Sequence, residues 1–484
     1  MKLLYKICLL FLVSSCSGQS NSDTDRGVKT KIDKINEIIS LYSDYDGFNG
    51  AIAVSHKGNT LYKKGFGFAN MEWDIPNKTD TKFQIASLTK SFTAMLIMQL
   101  VNERKLDLQK PISAYLPDYP KENADKINIH QLLTHTSGIP NSKSDKEVSR
   151  PEDLVNQFAN EPLNFVPGTN FDYSNSGYTL LGFIIETVTQ KTYQKNLIEK
   201  IFNPLKMGNS GFHKHRPIIK KMSSGYTTWY PDYFDVDKSD ESSAYSAGGL
   251  YSTVDDMLLW DKALTNESLL PKKYRDMIFT KHSPDGDGHY GYGWELRKMP
   301  IGNTSKTIET IGHSGRISGY RTSIVRIPET NSCVILFSNS SNAFLNGINT
   351  AIFAILNDQT YDLPLKPITL FMDRIIEKKG IDKGIEFFKA HSNNVEYYVS
   401  EDYLILSGYH FLKKDNFDEA IKIFKLATET FPNRYNPHYS YAEGLIKIGK
   451  NTEALASYKK SLILNPNNGR AVRMIERLEK ELRK

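Results

Sequence analysis

The run Ser87-Leu88-Thr89-Lys90 places a hydroxyl and a primary amine three residues apart at the head of a strongly apolar stretch. Phe92, Met95, Leu96 and Leu100 share one stripe at helical spacing, which predicts a helix over 87–104 that stops before Pro111. Residues i and i+3 of a helix face the same way, so the Lys90 amine comes within reach of the Ser87 hydroxyl. Serine is a weak nucleophile at neutral pH and needs an adjacent base. Lysine can be that base only where desolvation or a neighbouring cation lowers its pKa. A helix start adds free amide N–H groups and positive potential where an oxyanion would form. The chemistry encoded is acyl transfer through Ser87. The spacing alone is weak, because Ser457-Tyr-Lys-Lys460 repeats it in a C-terminal helical pattern, where it reads as surface filler.

Six further runs follow in order: Leu132-Leu-Thr-His-Thr-Ser-Gly138, Val166-Pro-Gly-Thr169, Phe171-Asp-Tyr173-Ser-Asn175-Ser-Gly177-Tyr178, Ser246-Ala-Gly-Gly-Leu-Tyr-Ser252, Gly291-Tyr-Gly-Trp294 and Gly312-His313-Ser314-Gly315-Arg316. Together with Ser87-x-x-Lys90 they resemble the motif series of the class C β-lactamase and D-Ala-D-Ala carboxypeptidase family, the penicillin-binding-protein-like serine hydrolases, over residues 29–358. The resemblance implies that Ser87 attacks a carbonyl while Lys90 and Tyr173 share the proton transfers. It implies that Asn175 positions the substrate and the lysine, and that the backbone amides of Ser87 and Arg316 hold the oxyanion. His313, Ser314 and Gly315 would form the strand edge against which substrate lies. His313 occupies the place of the family's lysine and supplies charge only weakly near neutrality, so Arg316 or Arg321 is the expected replacement. His135 reads as a hydrogen-bonded loop histidine. The implied reaction is hydrolysis of a peptide, amide, β-lactam or ester bond through an acyl-enzyme. The competing readings are a non-catalytic scaffold and a penicillin-binding sensor.

The elements that must carry these residues are legible in the periodicity. Residues 29–41 have a helical stripe of isoleucines, and 50–56 with 60–67 read as a hairpin around Lys57-Gly58-Asn59. A helix is predicted over 178–189, and strands over 320–327 and 332–339. Strands at both ends with helices between them predict an α/β (α+β) layered fold, one sheet flanked by helices. This hydrolase domain is placed at 29–360.

After Leu363-Pro364-Leu365-Lys366-Pro367 the pattern changes to an all-α domain over 365–484. Leu404, Gly408, Phe411, Ala420, Phe424, Ala427 and Pro432 sit at tetratricopeptide-repeat offsets, and a shift of 34 residues gives His438, Ala442, Leu445, Ala454, Tyr458, Ser461 and Pro466. Repeats over 401–468 are expected to recruit a partner protein or to pack on the hydrolase.

Residues 1–16 read as a signal peptide whose Val13-Ser14-Ser15-Cys16 ending resembles a lipobox, and 17–28 as a flexible tether. Lipidation at Cys16 would anchor the chain to a membrane in the bacterial envelope, in the periplasm; the alternative is secretion. Cys333 is then the remaining thiol, so no disulfide framework forms. From Lys366 onward 21 Lys+Arg stand against 16 Asp+Glu, interspersed rather than clustered, which argues against a nucleic-acid partner. No metal-ligand spacing occurs, and no cofactor is expected. The expected partner at the site is a small-molecule or peptide substrate.

Overall fold

The computed structural model describes residues 19–142, 150–213, 217–229, 232–236 and 241–483. The signal segment and Cys16 lie outside the described residues. The strands that bear on the site are β1 (Gly50–His56), β2 (Asn59–Phe66), β3 (Tyr226–Trp229), β4 (Asp232–Asp235), β5 (Ser283–Asp285), β6 (Gly288–Tyr290), β7 (Glu295–Pro300), β8 (Thr307–Ile317), β9 (Tyr320–Ile327) and β10 (Ser332–Ser338). All except β3 and β4 join one eight-stranded sheet in the order β5-β6-β7-β8-β9-β10-β1-β2. The sheet is closed across the sequence by antiparallel β1–β10 pairing, from Gly50 opposite Ser338 to Ser55 opposite Cys333.

Alternation along these strands loads both faces. Ala51, Ala53, Ile335 and Phe337 pack into the large core that holds α2 (Thr89–Asn102) and α3 (Asn175–Thr189). Ile52, Val54, Val334 and Leu336 face the other way, beneath Ile35, Ile38 and Ile39 of a long first helix and Ile348 and Ile352 of α4 (Leu345–Leu356). That first helix, α1, spans Gln19–Asp44. It begins earlier than the isoleucine stripe predicts and runs through most of the segment read as a tether. No proline interrupts that segment, so a helix docked through its later turns extends backward at little cost.

The nucleophile's surroundings also differ slightly from expectation. Ser87 sits not in the α-helix but in a 3₁₀ turn, Ala86–Leu88, immediately before α2. The predicted strands 320–327 and 332–339 are present as β9 and β10.

Beyond residue 365 the chain is all-helical apart from two short paired segments: α5 (Ile368–Lys379), α6 (Ile381–His391), α7 (Glu401–Lys413), α8 (Phe417–Thr430), α9 (Tyr435–Lys447), α10 (Asn451–Leu464) and α11 (Gly469–Leu482). α5 packs on α6, each helix from α7 to α11 packs on the next, and α7, α9 and α11 begin 34 residues apart. Gly408 lies against Phe424, where a Cβ would come within 2.4 Å of the ring, so the small residue permits the close approach of α7 and α8. The Ser457 decoy is not surface filler. Its hydroxyl is buried and donates to the His438 carbonyl at 2.8 Å, stitching α10 to α9.

Candidate active site

The turn carrying Ser87 is held under strain. Ala86, just before it, has φ +48°, a left-handed conformation costly for a residue with a Cβ. Two contacts stabilise the turn. Thr322 of β9 donates to the Ile85 carbonyl at 2.9 Å, and the Leu88 amide donates to the same oxygen at 3.2 Å. Gly315 of β8 completes the seat, since a Cβ there would lie 2.2 Å from the Thr322 hydroxyl and 2.5 Å from the Ile85 carbonyl. Ser87 is thereby presented, partly exposed, beside β8. β7 pairs with β8 only as far as Gly312, so β8 from His313 to Ile317 is an open edge on that side. This is where the glycine of His313-Ser314-Gly315 is physically required.

Lys90 lies directly behind the serine. Its Nζ is 3.2 Å from Ser87 Oγ, 2.7 Å from Asn175 Oδ1 and 2.8 Å from the Ala247 carbonyl. The side chain is fully buried, and burial lowers its pKa well below the usual lysine range. No carboxylate among the described residues pairs with it. The rings of Tyr173 and Tyr178 approach its Nζ, with centroids at 4.8 and 5.6 Å. All three contacts are to oxygen: Nζ donates to Ser87 Oγ as it does to Asn175 Oδ1 and the Ala247 carbonyl. Gly293 of the Gly-Tyr-Gly-Trp run explains itself here: its φ is +75° and a Cβ would sit 2.6 Å from the Lys90 carbonyl.

Tyr173 shares a hydrogen bond with Ser87, while burial of the phenol raises its pKa. Burial thus pushes the two groups in opposite senses, the lysine pKa down and the tyrosine pKa up. Asn175, the first residue of α3, is set by Asn141, which accepts from its amide at 2.6 Å and donates to the Tyr173 carbonyl at 2.9 Å. Sequence reasoning missed Asn141, because a lone asparagine after Gly-Ile-Pro carries no spacing signal. His135 holds the same loop, accepting the Ser174 amide on Nδ1 at 3.0 Å, as its reading as a structural histidine requires.

His313 begins the open edge of β8, with its ring turned into the fold. It is 4% exposed, and both ring nitrogens are engaged inside the fold. Nδ1 meets the Ser314 carbonyl at 2.7 Å, and Nε2 meets the Tyr290 hydroxyl at 3.0 Å. The carbonyl only accepts, so the proton sits on Nδ1, and Nε2 accepts from Tyr290. Burial lowers its pKa below the ordinary histidine value. Its ring packs beside those of Tyr173 and Tyr290. The alternation along β8 exposes Ser314 and Arg316 instead and buries Gly315.

A cavity of about 270 Å³ opens beside Ser87, lined among others by Asn141, Leu154, Gln157, Phe158 and Arg316. Arg316 is the one ionised side chain among its described lining residues. Arg321 lies directly across the β8–β9 pairing but spends its Nε on the Ser341 carbonyl at 2.7 Å. Apart from Arg316, the described lining is uncharged and carries the side-chain amides of Asn141, Gln157 and Asn175. Among the described residues no cluster suited to a metal ion occurs.

An activated-serine site at the open edge of an antiparallel sheet, backed by a helical layer, defines a class of hydrolase fold. The β-lactamase family profile matches residues 35–357, and the chain belongs to that family. Penicillin-binding protein 4* of Bacillus subtilis is 28% identical over 380 residues, covering 73% of this chain and 80% of that protein. Among solved structures, a penicillin-binding protein from Bacillus halodurans superposes with TM-score 0.58 at 29% identity, over 66% of this chain and 98% of its own. A D-amino acid amidase from Ochrobactrum anthropi SV3 gives TM-score 0.57 at 27% identity, over 69% and 98%. These likenesses cover the sheet-bearing domain and support a hydrolase acting on amide bonds.

Proposed function

We propose that the protein is a serine hydrolase that opens an amide bond through a covalent ester on Ser87. The observation that carries this reading is the buried, carboxylate-free Lys90 amine in contact with the serine hydroxyl. Lys90 Nζ takes the proton as Ser87 Oγ forms its bond to the carbonyl carbon. The oxyanion faces the backbone amides of Ser87 and Arg316 at the open edge of β8. As the C–N bond breaks, the Tyr173 hydroxyl passes a proton to the leaving amine and is reprotonated from Lys90. Water then enters, gives up a proton to the same pair and releases the acid from Ser87.

Arg316 shapes the substrate. With the His313 ring turned into the fold, the cation at the mouth of the cavity favours a substrate bearing a carboxylate near the scissile bond. The penicillin-binding and D-amino acid amidase relatives support an amide rather than an ester. We further read residues 1–16 as an export signal with lipidation at Cys16, and the C-terminal helices as tetratricopeptide repeats, on the 34-residue recurrence of helix starts.

The test is turnover of a panel of D-amino acid amides, N-acyl dipeptides and a penicillin, by the parent chain and by Ser87→Ala. Hydrolysis by the parent and none by the variant supports the reading. Turnover that survives in Ser87→Ala overturns it, and a stable penicillin adduct without turnover makes the protein a sensor instead.

A further inference from the structure

The β3–β4 hairpin projects from the sheet-bearing domain, and the inner face of the C-terminal helices holds it. Asp232 of β4 meets Nδ1 of His410 on α7 at 2.7 Å, and Lys414 Nζ meets Nε2 of the same ring at 2.9 Å. An ammonium only donates, so Nε2 accepts and Nδ1–H donates to the Asp232 carboxylate. The imidazole thus bridges an anion on one domain and a cation on the other, and it is 4% exposed. One turn along α7, Lys413 stands over the Phe234 ring at 4.3 Å. The intervening Tyr233 points to the opposite face, hydrogen-bonded to Asp46 at the end of α1, whose carboxylate also feels Arg374 of α5.

The other end of the hairpin touches the active-site strand. Gly225 and Gly319 meet backbone to backbone, so that a Cβ on Gly319 would lie 2.6 Å from Gly225. Gly319 is in the turn between β8 and β9, three residues after Arg316. Tyr320, the first residue of β9, donates to the Ser223 carbonyl. Tyr226 of β3 exchanges backbone bonds with Asn339 and Ser341 at 3.0 Å each, and Ser341 is the residue that holds Arg321. Close-packed backbone transmits displacement rather than absorbing it.

We propose that the C-terminal helices position the open edge of β8 by clamping the β3–β4 hairpin, with His410 and Asp232 as the latch. Neither residue touches substrate; both are positioning residues. The inner face of α7 is in this view an intramolecular docking surface, already occupied by the chain's own hairpin. The proposal rests on the acyl-transfer reading only for its kinetic readout.

The experiment uses full-length His410→Leu, Asp232→Ala and His410→Asn, the last keeping a donor near the Nδ1 position. Two quantities are measured: hydrogen exchange of the peptide spanning 313–320, and the rate of acylation by a fluorescent penicillin. His410→Leu and Asp232→Ala are expected to exchange at least fivefold faster there and to acylate about fivefold to tenfold more slowly, with far-UV circular dichroism unchanged. His410→Asn is expected to recover most of both. Exchange at 313–320 equal to that of the parent, in variants that have lost the latch, overturns the proposal. If the parent itself takes no acyl group, the acyl-transfer reading fails, and the exchange measurement still decides the clamp.

Discussion

At the residue scale the account turns on one amine. Lys90 is buried without a carboxylate partner among the described residues, and that burial lowers its pKa beside Ser87. Replacing it with arginine keeps size and donors but removes any neutral form. Lys90→Arg is therefore expected to lose at least about 100-fold in acylation rate, measured by single-turnover kinetics, as expected for a lost general base. Tyr173→Phe should lose about 10²–10⁴-fold in turnover, the usual worth of a positioned proton donor.

The same burial has a signature in stability. A lysine whose folded pKa is lowered binds fewer protons folded than unfolded between that value and about 10.4. The parent's stability relative to Lys90→Met should then rise with pH through this window, by at most about 1.4 kcal/mol per pH unit, and level off above it. Denaturant titrations of both proteins between pH 6 and pH 11 would check this; a difference independent of pH would mean that Lys90 is charged in the fold. Ser87, Lys90, Tyr173 and Asn175 were legible because each stands in a run whose order is distinctive. The orientation of His313 was not, because its tautomer and direction depend on Tyr290, a partner that local spacing does not identify.

At the scale of elements, the site exists because a strained turn is pressed against a strand edge. Gly315 admits that contact. Gly315→Ala would place a Cβ 2.5 Å from the Ile85 carbonyl, a backbone atom that cannot step aside. The expected cost is about 1–3 kcal/mol of stability, from denaturant unfolding, together with displacement of Ser87 and loss of most acylation. The strands themselves were readable from short apolar runs bounded by turn residues, and β9 and β10 lie where that pattern places them. The 3₁₀ geometry at Ser87 was not readable. Apolar periodicity marks where a helix begins to bury its face, whereas the left-handed φ of Ala86 is imposed by contacts from β8 and β9.

At the scale of the molecule, two bodies with their own cores share the chain. Phe424 is fully buried between Gly408 and Gly444, and its loss should open the helical stack. Phe424→Ala is expected to cost about 3–5 kcal/mol within that region. If the helices do clamp the hairpin, the variant should slow acylation as His410→Leu does, although it lies far from the serine in the chain. The helical character of the C-terminal region was legible in the sequence because small and aromatic residues recur there at helical spacing. The docking of these helices was not, because the latch joins Asp232 to His410 across 178 residues with no pattern common to both.

The central claim is a covalent bond to Ser87, and mass spectrometry of the intact protein tests it most directly. After brief exposure to a penicillin and to N-acyl amino acid amides, the parent is predicted to gain the mass of one acyl group, mapped by proteolysis to Ser87 and absent from Ser87→Ala. An adduct on another residue, or none with any substrate while the chain is folded, would contradict the account.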